Sequence, residues 1–173
     1  MSIRNALSPF FPSYHDKVQT EVKEIIGNSS SVLYSMLRYH MGWQDEHGHP
    51  CSEKSGKFIR PILCLLSCEA VGGNTSRILP AAAALELIHE FSLIHDDIED
   101  ASHERHHRPT VWKLWGQPQA INAGDGMLAL ASLALLKLKE NGIADEKIIG
   151  SNRMLAEACL QLCEGQYLDI AYE

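Results

Sequence analysis

The sequence predicts an all-α fold, and three observations carry that reading. Apolar residues recur at three- and four-residue spacing through nearly every segment of the 173 residues. No run alternates apolar and polar residues as a half-buried strand does. Helix stop signals, Gly27-Asn28, Gly72-Gly73-Asn74 and Asn141-Gly142, break the periodic runs into lengths suited to a bundle. With 45% hydrophobic and 21% charged residues the chain can bury one sizeable core, so residues 1–173 read as a single helical unit, by itself or within a larger domain.

The elements follow in order. A first helix runs from Ser13 to Ile26 and stops at Gly27-Asn28; a second, Ser30 to Trp43, gives way to the polar loop Gln44 to Ser55. A third, Lys57 to Val71, ends at the paired glycines. The fourth, Arg77 to Glu99, tolerates Pro80 in its first turn, where a missing N–H costs little. The fifth spans Gln119 to Glu140. The sixth starts at Asp145 and reaches Ile170, Ala171, Tyr172 and Glu173 in mid-pattern, so the chain is expected to be cut rather than finished.

Composition narrows the function. A net charge of −7 with no basic stripe or aromatic platform excludes a nucleic-acid surface. Met1 to Ser13 lacks the apolar core of a leader, and the apolar run Met127 to Leu138 is too short to cross a bilayer; a cytoplasmic protein with no transmembrane segment is expected. Five cysteines, an odd number without framework spacing, suit a reducing compartment. Cys64 with Cys68, and Cys159 with Cys163, have the spacing of a zinc site, but each pair lies in an apolar helical run and reads as core packing.

The chemistry concentrates at the end of the fourth helix. Asp96, Asp97, Glu99 and Asp100 crowd five positions, and on a helix Asp96 and Asp100 are four apart and Asp97 and Asp100 three apart, so three carboxylates can converge. Carboxylates in a last helical turn oppose the macrodipole unless a cation binds there. All-oxygen donors favour Mg2+, which keeps waters and takes phosphate oxygens, so a diphosphate substrate follows; the bland reading is a solvated acidic helix end. Gly56, Lys57 and Arg60 place two cations at the start of a helix, a plausible phosphate grip. His89 lies two turns before Asp96 on nearly the same face. Arg105 and Arg108, with His103, His106 and His107, follow the carboxylates at once, and Gln166 and Asp169 stay polar in the last helix.

Together these residues resemble the trans-isoprenyl diphosphate synthases. Asp96, Asp97 and Asp100 match the first aspartate-rich motif, DDxxD, and Ser55-Gly56-Lys57-Phe58-Ile59-Arg60-Pro61 is similar to GGKRxRP. Arg105 to Thr110 is similar to RRGxPT, Asn122-Ala123-Gly124-Asp125 matches NAGD, and Gly165 to Asp169 resembles GQxLDL. The resemblance implies an isoprenoid synthase-type antiparallel helix bundle, here incomplete, and a prenyltransferase that condenses an allylic diphosphate with isopentenyl diphosphate. It implies that Asp96, Asp97 and Asp100 hold Mg2+, that Lys57, Arg60, His89 and His106 bind isopentenyl diphosphate, and that Arg105 binds the allylic diphosphate. Gln166 falls within the last motif, and a homodimer formed by helix packing is implied. Phe91, five before the first aspartate, matches the position that caps the product tunnel and favours a C15–C20 product. Phe58 and His106 stand where the family has arginines, and His107 where it has glycine; a histidine at 106 implies a weaker or pH-dependent grip. The family's second aspartate-rich motif is absent, so the expectation is an N-terminal half, inactive alone.

Two alternatives come from other classes. His95-Asp96 is an adjacent His-Asp pair such as HD-type metal-dependent phosphohydrolases use, with His40, His47 or His49 as the further ligand. A non-catalytic partner subunit of a complete synthase is the other.

Overall fold

Glycine and proline punctuation divides the chain into segments that can bury an apolar stripe only against one another, and the computed structural model shows them packed in that way. It describes residues 11–51 and 56–172; the N-terminal decapeptide, Ser55 of the basic motif and the end of the polar loop lie outside these. The helices are α1 (Phe11–Ile26), α2 (Val32–His40), α3 (Ile59–Ala70), α4 (Leu79–Glu99), α5 (Val111–Trp115), α6 (Gln117–Lys137) and α7 (Asp145–Tyr172).

The most extensive packing joins α4 to α6. Small residues allow it: Ala82, Ala83 and Ala84 on α4 and Ala120, Ala123 and Ala131 on α6 are fully buried. At Gly124 the approach is tightest, since a Cβ there would lie 2.2 Å from Nε2 of His95. Helices α1 and α3 flank α4, and α2 leans on α6. Because α4 is covered on several sides it buries Glu86, Glu90 and Asp97 as well as Leu87, Phe91 and Ile94.

Two helical stretches, Thr75–Glu99 and Gln117–Lys137, are long and apolar enough to cross a membrane by length and composition, and the second is longer than the expected apolar run. Here they form the central packed pair.

Several boundaries differ from expectation. Helix α3 starts at Ile59, because Phe58 adopts a left-handed conformation (φ 49°) that turns its ring into the core, edge-on to His15 with centroids 4.8 Å apart. Lys57 thus precedes the helix. A 3-10 turn, Thr75–Ile78, leads into α4, capped by Asn74, whose side chain accepts from Ser76 N at 3.0 Å. Arg77 in that turn donates to the carbonyls of Asn141 and Gly142, tying the start of α4 to the α6–α7 turn.

The segment between the fourth and fifth expected helices contains a β-hairpin: β1 (Glu104–Arg105) pairs antiparallel with β2 (Arg108–Pro109), Arg105 opposite Arg108. Its two-residue turn is His106–His107, both at positive φ (53° and 63°), the arrangement of a type I′ turn. Beyond Cys159, α7 loses the core: Leu160, Tyr167 and Tyr172 are exposed. The cysteines are free; Cys64 and Cys159 pack against the core as expected, but Cys163 is exposed.

Candidate functional site

The C-terminal end of α2, the Gly56–Arg60 segment entering α3, the middle of α4 and the hairpin enclose a cavity of about 500 Å3. Lys57, Arg60, His89, Arg105 and His106, five residues singled out by sequence, all line it. The left-handed turn at Phe58 separates Lys57 from Arg60, so both reach the cavity although only Arg60 belongs to the helix. Phe91 is buried on another face of α4, edge-on to His95 at 4.8 Å. Gln166, half-buried on α7, does not contribute to the cavity.

The three aspartates do not converge as the spacing suggested. Asp97 turns inward, 2% exposed, and accepts from Arg105 Nε at 2.9 Å. Arg105 Nη2 lies 2.9 Å from the same Asp97 oxygen and 3.1 Å from Oδ2 of Asp96, so one guanidinium bridges both carboxylates. Burial raises Asp97 above the usual carboxylate range, and Arg105 offsets this only in part. Asp100 is exposed at the end of α4. Among the described residues no three His, Cys, Asp or Glu side chains are gathered as a metal centre. The reason is rotational: at 100° per residue, adjacent Asp96 and Asp97 cannot share a face, and Arg105 draws Asp97 into the protein. Asp96 and Asp100, one turn apart, remain at the outer edge. Asp97, expected as a metal ligand, is here the partner of Arg105.

Sequence reasoning missed the floor of the cavity. Glu86 and Glu90 occupy successive turns of α4, 2% and 8% exposed. His40 Nε2 lies 2.9 Å from Oε2 of Glu90, an ion-pair contact outside hydrogen-bonding alignment. Burial, and then the neighbouring charge of Glu90, pushes Glu86 up to about 8. Burial alone would also raise Glu90, but His40, with His89 and Arg105, outweighs it and holds Glu90 below its ordinary value. His89 is lowered, first by burial and then by the cations Arg60 and Arg105, so it is neutral near pH 7. The available signal was two glutamates four apart on an otherwise apolar helix.

Arg108 does not act as an anion-binding neighbour of the aspartates. It donates to the carbonyls of Tyr39 (3.1 Å) and Gln44 (2.8 Å) and stacks over the Tyr39 ring, whose hydroxyl donates to Pro109 O. The hairpin is thereby fastened to α2. His95 faces α6, with Nε2 3.4 Å from Ile121 O and 3.7 Å from Asp125. His40 instead pairs with Glu90, and His49 with Asp45, so the histidine set an HD-type centre needs is not assembled.

This arrangement, a central helix pair with an acidic end on one helix and a cation-lined cavity beside it, is that of the isoprenoid synthase bundle. The polyprenyl synthetase from Streptomyces coelicolor A3(2) superposes with a TM-score of 0.87 at 35% identity, over 96% of this chain and 48% of that one. A geranylgeranyl pyrophosphate synthetase from the archaeon Geoglobus acetivorans gives 0.81 at 32% identity, over 94% and 49%. The polyprenyl synthetase family profile matches residues 43–173, and the chain belongs to that family. It is 38% identical over 160 residues to the (2E,6E)-farnesyl diphosphate synthase of Mycobacterium tuberculosis, covering 92% of this chain and 43% of that protein. It is 45% identical over 118 residues to a short chain isoprenyl diphosphate synthase of Methanothermobacter thermautotrophicus, covering 68% and 35%. The chain spans less than half the length of each of these relatives.

Proposed function

We propose that this chain furnishes one half of the active site of a short-chain trans-prenyltransferase, joining an allylic diphosphate to isopentenyl diphosphate. The observation that carries this reading is the convergence of Lys57, Arg60 and His89 on one cavity that Arg105 links to the aspartates. Lys57 and Arg60 take the diphosphate of isopentenyl diphosphate, and neutral His89 donates one ring N–H. His106, at the exposed rim, adds a ring nitrogen for hydrogen bonding. Arg105 keeps N–H groups beyond those engaged by Asp96 and Asp97, and these meet the allylic diphosphate.

Asp96 and Asp100, hard oxygen donors one turn apart at the negative end of α4, fit Mg2+. When bound, Mg2+ would neutralise charge growing on the departing diphosphate. In the transfer the allylic C–O bond breaks, the isopentenyl double bond forms the new C–C bond, and a proton leaves the adjacent carbon, with the released diphosphate as its acceptor. Phe91 limits the product to C15–C20. The reading includes a cytoplasmic protein with no membrane-spanning segment and a homodimer formed by helix packing. The apolar side chains exposed on α7, Leu160 and Tyr167 among them, are covered by the complementary half of the synthase.

Co-expression with a C-terminal half carrying a second DDxxD tests this. Prenyl transfer that requires both pieces and Mg2+ is expected. A stable pair that never turns over, yet alters a complete synthase, would favour the partner-subunit reading instead.

A further inference from the structure

Two carboxylates in the floor of an anion pocket are a contradiction unless something neutralises one of them. Glu90 has His40 at 2.9 Å. Among the described residues Glu86 has no ion-pair partner, although it is 2% exposed. It also lies directly under the phosphate grip: a Cβ on Gly56 would sit 3.5 Å from Glu86 Oε1, and Gly56 leads straight into Lys57 and Arg60. An ionised Glu86 would compete with any incoming anion for those two cations.

We propose that Glu86 takes up a proton as the pocket takes up its anion, so that a diphosphate binds with the Glu86 carboxyl neutral. The proton comes from bulk water and rests on Glu86, shared with Glu90 one turn away. This rests on the diphosphate reading above and adds the protonation state in which the site works. The groups facing the pair are Tyr39 and His40 from α2, Lys57 and Arg60 from the segment entering α3, His89 and Asp97 from α4, and Arg105, His106 and Arg108 from the hairpin. Among the described residues α1, α5 and α6 add no titratable side chain to the lining. The net charge of the emptied pocket thus depends on Glu86. Its ordinary value is already pushed up to about 8 by burial and by Glu90, and a bound anion pushes it further.

Calorimetric titration of the full chain with inorganic diphosphate, at pH 7 and pH 9, for wild type and Glu86→Gln, reads this directly. Glutamine mimics the neutral carboxyl and cannot ionise. Wild type should weaken between the two pH values by about five- to tenfold more than E86Q, while the two match near pH 7. Parallel weakening overturns the inference, as does an E86Q that binds poorly at both pH values, which is the result of a purely structural role. Carbon-13 carboxyl titration of the wild-type chain keeps the test independent of the variant's folding. One glutamate should titrate near pH 8 and move upward by about one unit or more with saturating diphosphate; no such carboxyl overturns the proposal. Failure of inorganic diphosphate to bind at any pH removes the diphosphate reading and this inference together. Binding that Arg60→Ala abolishes, but that is indifferent to Glu86, removes only the inference.

Discussion

Replacing Arg105 with alanine probes the connection on which the acidic edge depends. The guanidinium makes contacts of 2.9, 2.9 and 3.1 Å with Asp97 and Asp96, and Asp97 is almost entirely removed from water. Leaving a buried carboxylate without its partner costs about 3–5 kcal/mol. Arg105 itself is 27% exposed, so solvent screening moves the expectation down to about 2–3 kcal/mol at pH 7. Protonation of Asp97 offers relief. Its folded-state pKa already lies above 3.8, so the folded protein binds more protons than the unfolded chain, and this group opposes folding near neutrality. That penalty vanishes as pH falls through the raised value towards 3.8. Removing Arg105 raises the pKa further and widens the window upward. Two pH units cheapen protonation by about 2.7 kcal/mol, so most of the R105A defect should disappear at pH 5. Urea unfolding followed by circular dichroism at pH 7 and pH 5 measures it, with Asp97→Asn and R105A/D97N completing a double-mutant cycle. An R105A loss equal at both pH values, or a double variant as unstable as R105A, would refute the buried-carboxylate argument.

Three further expectations concern packing, binding and product. Gly124→Ala should lower stability by about 1–3 kcal/mol in thermal unfolding, because its Cβ meets the His95 ring and Phe91 stands at that ring's edge; an unchanged Tm would contradict the close approach of α4 and α6. Arg60→Ala should weaken inorganic diphosphate binding tenfold or more, about 1.4 kcal/mol, with the helical circular dichroism spectrum intact, and wild-type affinity would show that the cavity is not the grip. Phe91→Ala in the assembled synthase should lengthen the product beyond C20, read by chromatography of the dephosphorylated alcohols; an unaltered product length would make Phe91 core and nothing more.

The helical segments were legible because each combines a 3.6-residue apolar period with its own stop signal. Gly72-Gly73 and Asn141-Gly142 act on the backbone within a few residues, whatever surrounds them. Where local signals were mixed, the reading slipped. The His106–His107 turn carries neither Asn nor Gly, so nothing in the sequence announced a hairpin; Arg108 stacked on Tyr39, and Tyr39 bonded to Pro109, hold the hairpin against α2. Phe58 looked like a helical residue, yet a left-handed backbone carries its ring into the core next to His15.

The same division runs through the site. Residue types and spacing marked Lys57, Arg60 and Arg105 as candidate anion-binding cations, and the ordered match to the family's motifs was what added His89 and gave each its expected role. Spacing along one helix could say that Asp96 and Asp100 share an edge, since that follows from helical geometry alone. It could not say that Asp97 turns inward to Arg105, or that His40 stands against Glu90, because each pair joins two elements whose relative placement is set by long-range packing. Nor could it assign Glu86 a charge: ionisation there depends on how much water the surrounding helices exclude, a property of the assembled bundle and not of any single stretch of chain.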